Sequence, residues 1–166
     1  MAFSQRQLRN AGRGITINAS RTKSASAGQT AFLCHSHADR DLVAGLQETL
    51  RLAGWDIYID WQDTTMPESP NRQTAERIQN KIVTTTWFFF LATQRSCASR
   101  WCPWEIGYAD GVKQQDRILI FPTSDDQGNW YGNEYLQLYR KVDYGTDSRI
   151  GAFYPQASTG TVVGAL

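Results

Sequence analysis

The residues with the clearest chemical potential lie in one aromatic segment, Ser-Arg-Trp-Cys-Pro-Trp-Glu-Ile-Gly-Tyr-Ala-Asp-Gly-Val at 99–112. The segment predicts a helix, because Ser99 suits an N-cap, Pro103 is tolerated in a first turn and Gly111 can end a helix. One helical face collects four residues at intervals of four, three and four, namely Trp101, Glu105, Tyr108 and Val112. That face is apolar except for its glutamate, which is either a structural acid or a desolvated functional acid. The segment alone favours the structural acid, because carboxylates also occupy partly buried structural positions.

A single acid beside aromatic side chains suits a reaction that passes through a cation. Cleavage of an N-glycosidic bond passes through an oxocarbenium-like ribose, which a carboxylate stabilises while an indole stacks on a planar base. A positively charged leaving group such as nicotinamidium needs no general acid, so one glutamate is enough. Other chemistries lack their motifs: the sequence has no G-x-G-x-x-G, no G-x-x-x-x-G-K-[ST] and no G-x-S-x-G. A dyad of Cys34 and His35 is disfavoured, because adjacent strand residues point to opposite faces.

Composition narrows the class of protein further. The chain has 166 residues, a length that favours one domain, and a net charge of +1 that names no partner. Residues 1–29 carry five basic and no acidic side chains, and we interpret them as a solvated, partly disordered leader rather than a nucleic-acid or membrane contact. Three cysteines without a C-x-x-C pair and only two histidines argue against disulfides and metal sites. The longest apolar run, at 87–92, is too short to span a membrane and no signal-peptide core is present, so we expect a cytoplasmic protein.

Strands and helices alternate along the chain. Strands are predicted at 30–34, 55–60, 87–91, 117–121 and 140–144, of which the fourth is ended by Pro122 and the fifth lies at an edge of the sheet. Helices are predicted at 3–10, from Asp39 or Asp41 to 53, at 69–83, at 99–111 and at 133–138. In the helix at 69–83, Val83 is expected to be buried. This alternation predicts a parallel sheet with helices on both faces, whose ligands bind at the carboxyl ends of the strands. Polar stretches follow three strands, at 34–39, 60–71 and 93–99, and the helix that carries Glu105 begins at the third. This placement shifts the balance towards a functional acid. We divide the chain into an N-terminal arm and linker at 1–29, a domain at 30–144 and a tail at 145–166.

Three segments resemble the Toll/interleukin receptor (TIR) domain family, specifically its bacterial NAD-cleaving members. Phe-Leu-Cys-His-Ser-His-Ala-Asp at 32–39 is similar to the first TIR box, an apolar strand followed by Ser-x-x-Asp. Gly-Trp-Asp-Ile-Tyr-Ile-Asp at 54–60 is similar to the second strand as it enters the so-called BB loop. Ser-Arg-Trp-Cys-Pro-Trp-Glu at 99–105 is similar to the W-x-x-x-E signature. The resemblance covers roughly residues 30–144 in order and spacing, which makes it more specific than any one motif.

The resemblance implies an α/β, flavodoxin-like TIR fold with a central parallel five-stranded sheet and helices on both faces. It implies that Glu105 is the catalytic residue and contacts the nicotinamide ribose as nicotinamide leaves. The substrate-binding residues are then expected to be Trp101, His35, Ser36, Asp60, Trp61 and Ser99. NAD+ is the substrate in this interpretation, and neither a cofactor nor a metal is required. Arg95 and Arg100 either meet the pyrophosphate or are solvated, and Trp104 and Tyr108 are expected to pack the helix.

The same resemblance implies products and partners. The products are ADP-ribose or a cyclic ADP-ribose isomer, in the setting of bacterial anti-phage defence. We expect self-association through the BB loop at about 60–71 and a separate effector protein that senses the product, with no nucleic acid or membrane as partner. The chain departs from the family pattern at His35-Ser36-His37, where many members have Ser-His-Ser, and at 66–70, where two prolines stiffen the loop. Two alternatives stay open: a non-catalytic TIR interaction module, and a nucleoside deoxyribosyltransferase-like enzyme with Glu105 as nucleophile.

Overall fold

The structure is a computed structural model that describes residues 3–13, 30–59, 62, 71–146 and 149–166. Its helices within these ranges are α1 Gln5–Gly12, α2 Arg40–Leu52, α3 Arg72–Thr84, α4 Gln94–Cys97 and α5 Cys102–Val112. Its strands there are β1 Phe3–Ser4, β2 Thr30–Cys34, β3 Asp56–Tyr58, β4 Trp87–Ala92, β5 Ile118–Ser124, β6 Trp130–Tyr131, β7 Arg140–Tyr144, β8 Ile150–Phe153 and β9 Gly160–Val162. Short 3₁₀ turns cover His37–Asp39, Gln115–Arg117, Glu134–Leu138 and Val163–Ala165. The predicted helix start at Ser69 and Pro70 lies outside the described residues.

One sheet runs through these strands in the order β3-β2-β4-β5-β7-β8-β9. Every neighbouring pair from β3 to β7 is parallel. Counted along the chain, the five predicted strands therefore lie in the order second, first, third, fourth, fifth, which is the flavodoxin-like arrangement. The prediction of a central parallel five-stranded sheet is confirmed, and β8 and β9 extend it in the antiparallel sense.

Strand β4 shows why both faces of the sheet are buried. Alternate residues of a strand point to opposite sides, and every residue of β4 is apolar. Trp87, Phe89 and Leu91 join a cluster with Leu8 of α1 and the apolar residues of α2. The opposite face joins residues of α3 and α5, and its β4 members are Phe88, Phe90 and Ala92. Burial on both faces turns the carboxyl ends of the strands, rather than either face, into the place where polar chemistry can occur.

The N-terminal residues that the structure describes are not a solvated leader. The predicted short helix is present as α1, and Phe3 and Leu8 are buried in the core. Strand β1 pairs in parallel with the end of β5, and the Gln5 side chain donates to Thr123 Oγ1 at 3.1 Å. The interpretation as a solvated leader is therefore wrong for residues 3–13, because net charge says little about a segment whose few apolar side chains fit a core. Residues 14–29 lie outside the described part of the chain, and the division at residue 30 stays a prediction.

The C-terminal tail contributes to the sheet as well. Strand β7 was predicted at an edge, but it lies between β5 and β8. Ala152 of β8 and Val163 are fully buried, and Trp55 Nε1 donates to the Val163 carbonyl at 3.2 Å. A tail rich in glycine, serine and threonine gave no periodic signal, because β8 buries only Gly151 and Ala152 and β9 buries no residue fully.

One strand end and one burial prediction differ from the structure for local reasons. Pro122 does not end β5, because proline removes only one N–H donor and Thr123 and Ser124 pair with β1 and β6 beyond it. Val83 is exposed rather than buried, because the buried positions of α3 are Thr74, Ile78 and Ile82, and Val83 lies one residue off that stripe.

Helix α1 packs closely against α2 at Gly45 of α2. A Cβ placed on Gly45 would lie 1.8 Å from the Leu8 carbonyl oxygen of α1. Because that neighbour is backbone, it cannot turn aside as a side chain would. The absence of a side chain at Gly45 is therefore what lets α1 lie against α2 and bury Leu8.

Gly45→Ala is expected to lower the free energy of unfolding by roughly 1–3 kcal/mol, because α1 must move away from α2. Equilibrium unfolding in urea measures the change. Gly111→Ala is the matched control, since an added Cβ there meets nothing within 4 Å. The control should be neutral or stabilising by about 0.5–1 kcal/mol, because alanine is the better helix former. Equal effects of the two substitutions would contradict the close approach of α1.

Candidate active site

The candidate site lies at the carboxyl ends of β2 and β4, where α5 begins. His35 and Ser36 follow β2 directly, and α4 and residues 98–101 connect β4 to α5. The structure thus brings five of the seven predicted site residues to one edge of the sheet: Glu105, Trp101, His35, Ser36 and Ser99. Asp60 and Trp61 lie outside the described residues, as does most of the predicted BB loop.

Ser99 lies three residues before the helix that carries the acid. Its Oγ accepts from the backbone N–H groups of Trp101 at 3.1 Å and Cys102 at 3.3 Å. Pro103 falls at the start of α5, where a missing N–H leaves no helical bond unmade. Trp101 rather than Ser99 occupies the N-cap position of α5, so the predicted cap lies two residues too early, although Ser99 Oγ still accepts from the N–H of the first helical residue. The predicted contact of Ser99 with substrate stays a prediction.

Glu105 is a buried acid in the first turn of α5, with 6% of its surface exposed. The sequence predicted that Glu105 lies on an aromatic face of the helix, and this prediction is only partly correct. The buried face of α5 consists of Cys102, Glu105, Ile106 and Ala109. Trp101 and Tyr108 are half-buried beside that face, whereas Val112 is exposed. The glutamate therefore lies on the border between the aromatic side of α5 and the side packed on the sheet.

The buried thiol of Cys34 is a neighbour of this acid. Burial raises the pKa of Cys34 well above its ordinary value, and a hydrogen bond with Cys102 and the charge of Glu105 raise it further. The thiol is therefore protonated at neutral pH and is not a nucleophile. The His35 ring is also buried, with Nδ1 at 2.9 Å from the Leu33 carbonyl oxygen. That geometry has Nδ1–H as the donor, and it supports the rejection of a Cys34–His35 dyad.

Ser36 has a local structural role. Its Oγ accepts from the Ala38 backbone N–H at 3.4 Å and caps the 3₁₀ turn His37–Asp39. A capping hydroxyl keeps its own proton available for a second partner. The position after β2 leaves Ser36 half-buried at the same edge as Glu105.

Sequence reasoning missed a polar link between the two loops of the site. Asp39, predicted only as a possible cap, makes no capping bond and is almost fully buried. Its carboxylate accepts from Thr93 Oγ1 at 2.6 Å and from Arg95 Nη1 at 3.0 Å. Arg95 also donates to the Ala38 carbonyl at 2.7 Å, so this side chain already has partners within the protein. Thr93 and Arg95 lie 54 and 56 residues after Asp39 in the chain. No local sequence pattern could therefore have predicted these contacts.

The aromatic residues of α5 pack mainly on one another. The Trp101 and Trp104 rings meet edge to face with centroids 5.4 Å apart, and Trp104 stacks on Tyr108 at 6.2 Å. Trp104 nevertheless keeps 36% of its surface exposed. The packing role predicted for Trp104 and Tyr108 agrees with these ring contacts, which also fix the orientation of Trp101 beside the acid.

Across the described ranges, no three side chains of histidine, cysteine, aspartate or glutamate lie together as metal ligands would. None of the helices described is both long enough and apolar enough to cross a bilayer.

Comparison with known proteins defines the class. A family model described as TIR domain matches residues 31–150, and the chain therefore belongs to the TIR domain family. Over 117 residues it is 35% identical to a protein of Bacillus cereus strain MSX-D12 named probable 3' cyclic ADP-D-ribose synthase ThsB'. That alignment covers 69% of this chain and 61% of the relative, so the chain spans about three fifths of the relative's length.

Thr93→Val is expected to lower the free energy of unfolding by about 1–3 kcal/mol, because it removes a donor to the buried Asp39 carboxylate. Thermal or urea unfolding measures the loss. Thr84→Val is the matched control, since the Thr84 hydroxyl is exposed and its partners among the described residues are carbonyls of its own helix. An equal loss of unfolding free energy in the two variants would contradict a stabilising role for the hydrogen bond between Thr93 and Asp39, which links the loops after β2 and β4.

Proposed function

We propose that this protein cleaves the bond between nicotinamide and ribose in NAD+, releasing nicotinamide and either ADP-ribose or a cyclic ADP-ribose isomer. The observation that carries the proposal is the Glu105 carboxylate, which is only 6% exposed and lies at the carboxyl edge of the sheet beside Trp101. A relative named as a probable cyclic ADP-ribose synthase supports the same class of reaction. An interaction module has no need of a desolvated acid at this point of the fold.

Each residue of the site has a distinct role in the proposed reaction. The departing nicotinamide keeps the electron pair of the broken C–N bond and leaves as a neutral molecule, so the positive charge of its ring passes to the ribose. The Glu105 carboxylate faces that charge and holds the ribose, and its burial strengthens the attraction because little water screens it. The indole of Trp101 offers a flat apolar surface to the substrate. His35 and Ser36 border the same site from the loop after β2, and Asp60 and Trp61 are proposed to border it from the BB loop.

The second half of the reaction depends on what attacks the ribose. Water gives ADP-ribose, whereas a hydroxyl or the adenine of the same molecule gives a cyclic product with one water fewer. Exclusion of water favours the internal nucleophile. The low exposure of Glu105 and the name of the relative both support a cyclic product, and we propose cyclisation as the main outcome.

The wider setting is proposed on the same basis. We expect the active form to assemble through the BB loop at about 60–71, so that one copy borders the site of the next. The product is proposed to act on a separate effector protein in bacterial anti-phage defence, within the cytoplasm. Neither nucleic acid nor membrane has a part in this proposal.

Glu105→Gln is expected to reduce nicotinamide release by at least about a hundredfold, because a neutral amide loses the electrostatic stabilisation of the cationic ribose. Purified protein at high concentration is incubated with NAD+, and the products are resolved by mass spectrometry. A product lighter than ADP-ribose by one water identifies cyclisation. Circular dichroism and unfolding midpoints establish that the variant is folded.

Asp110→Asn is the matched control, because it removes an exposed carboxylate from the same helix and should leave turnover unchanged. A wild type that releases no nicotinamide, even with crowding agent, would contradict the proposal and favour the interaction module. Turnover of deoxynucleosides without turnover of NAD+ would favour the deoxyribosyltransferase-like enzyme instead.

A further inference from the structure

Arg140, the first residue of β7, is a buried cation at the amino edge of the sheet. Only 6% of its surface is exposed. Its Nη2 donates to the Ala152 carbonyl at the long distance of 3.4 Å. Among the described residues, its Nε–H has no acceptor, and no carboxylate pairs with its charge. Because a guanidinium stays charged at neutral pH, this buried charge is not neutralised by the part of the chain that the structure describes.

The acids of the remaining chain are joined to other parts of the sheet. Residues 14–29 contain no aspartate or glutamate. Residues 60–70 follow β3, which three strands separate from β7. The chain leaves β7 for β8 at Tyr144, at the end of the strand opposite to Arg140. We therefore expect the counter-charge of Arg140 to come from a ligand.

A second arginine lies on the same face of the sheet. Leu119 of β5 and Arg140 of β7 are register partners, so their side chains point to the same side. Arg117 precedes Leu119 by two residues. Its guanidinium carbon lies 4.5 Å from the centroid of the Trp87 ring, which belongs to the apolar cluster on that side. Within the described ranges no carboxylate pairs with Arg117 either, so two neighbouring strands present two unpaired cations on one face.

The Tyr154 ring contacts the charge of Arg140 without using its Nε–H. The guanidinium carbon lies 4.6 Å from the ring centroid, and this contact attracts the cation while Nε–H keeps its capacity to donate. Tyr154 is 54% exposed and begins a turn in which the Ala157 N–H donates to the Tyr154 carbonyl at 3.1 Å. An exposed ring at a turn can rotate away, and its rotation would admit an anion to the buried Nε–H.

We propose that Arg140 and Arg117 form a binding site for a phosphate group at the amino edge of the sheet, with Tyr154 as its cover. The guanidinium fork matches phosphate oxygens, and a dianion matches two cations better than a carboxylate does. The site lies at the edge of the sheet opposite to Glu105, so it is separate from the candidate active site and does not rest on the proposed cleavage of NAD+. The phosphate group belongs either to inorganic phosphate or to a phosphate monoester.

Nuclear magnetic resonance tests the contact on the unaltered protein. The arginine Nε–H signals are followed during a titration with inorganic phosphate at constant ionic strength set with chloride, and the Arg140 signal is assigned through its backbone. We expect this signal to shift and to saturate. Arg51 is the internal control, because it is exposed and already paired with Glu48, with 2.7 Å between Nη2 and Oε1. An Arg140 signal that does not respond, or that moves only in proportion to the Arg51 signal, would overturn the inference.

Unfolding temperatures test the charge. Phosphate at ten times its Kd is expected to raise the unfolding midpoint of the wild type by about 3–6 °C over matched chloride. Arg140→Met should lose this increase, and Arg117→Met should raise the Kd for phosphate about tenfold, because one of two charge-assisted contacts is removed. Arg51→Met is the matched control and should keep the full increase. The full increase in Arg140→Met would place phosphate elsewhere and overturn the inference.

A second probe distinguishes the two sources of the phosphate group. Adenosine monophosphate carries the group on a nucleoside. A similar Kd for both probes, read at the Arg140 signal, supports a site for inorganic phosphate. A Kd for the nucleotide that is at least tenfold lower supports a site for a phosphate monoester. A protein that turns over NAD+ while its Arg140 signal ignores both probes counts against this site alone, whereas a protein that binds phosphate but leaves NAD+ intact counts against the proposed cleavage alone.

Discussion

The burial of one carboxylate is the constraint on which the rest of the site depends. A charged group is costly to remove from water unless polar groups meet it in fixed positions. Only 6% of the surface of Glu105 is exposed, so its neighbours must be held in place. Ser99 fixes the start of its helix through two backbone N–H groups, and the Cys102 thiol of the same helix donates to the carbonyl of His35, the residue after β2. The sheet itself is apolar on both faces, and its carboxyl edge is therefore the place where such a group can be accommodated.

That edge is held together by side chains bonded to distant backbone and to one another. Thr93 and Arg95 reach the buried Asp39 across the loops after β2 and β4. Ser96 Oγ donates to the Leu91 carbonyl at 2.7 Å, and Thr123 Oγ1 donates to the Ala92 carbonyl at 2.6 Å. Each bond supplies a partner to a carbonyl or carboxylate that is buried at a strand end. Together they fix the loops that carry Trp101, His35 and Ser36 at the edge of the sheet where Glu105 lies.

Much of this arrangement was predictable, and the reasons are specific. Strand β4 is apolar throughout, so its burial followed from composition, and the alternation of strands with helices led to the parallel order. Glu105 stood out because it is the one charge on an otherwise apolar helical face. The polar contacts at this edge of the sheet did not follow, because they join residues far apart in sequence, such as Asp39 with Thr93 and Cys34 with Cys102. The same limit explains the misjudged termini: Phe3 and Val163 are buried against residues far along the chain, and only the folded core shows where they fit.

The termini bear on what the functional unit is. The family match covers residues 31–150, yet the sheet of this chain includes strands on both sides of that range. Gln5 bonds to Thr123, which in turn bonds to the Ala92 carbonyl just before the loop that leads to α5. A segment outside the matched range thus supports the edge at which Glu105 lies. Residues 3–13 contribute to the hydrophobic core as well, because Leu8 is buried in it at the place where Gly45 lacks a side chain. The site therefore depends on residues 3–13 as well as on the matched domain, and a protein cut to that domain would lose part of the framework that holds its acid.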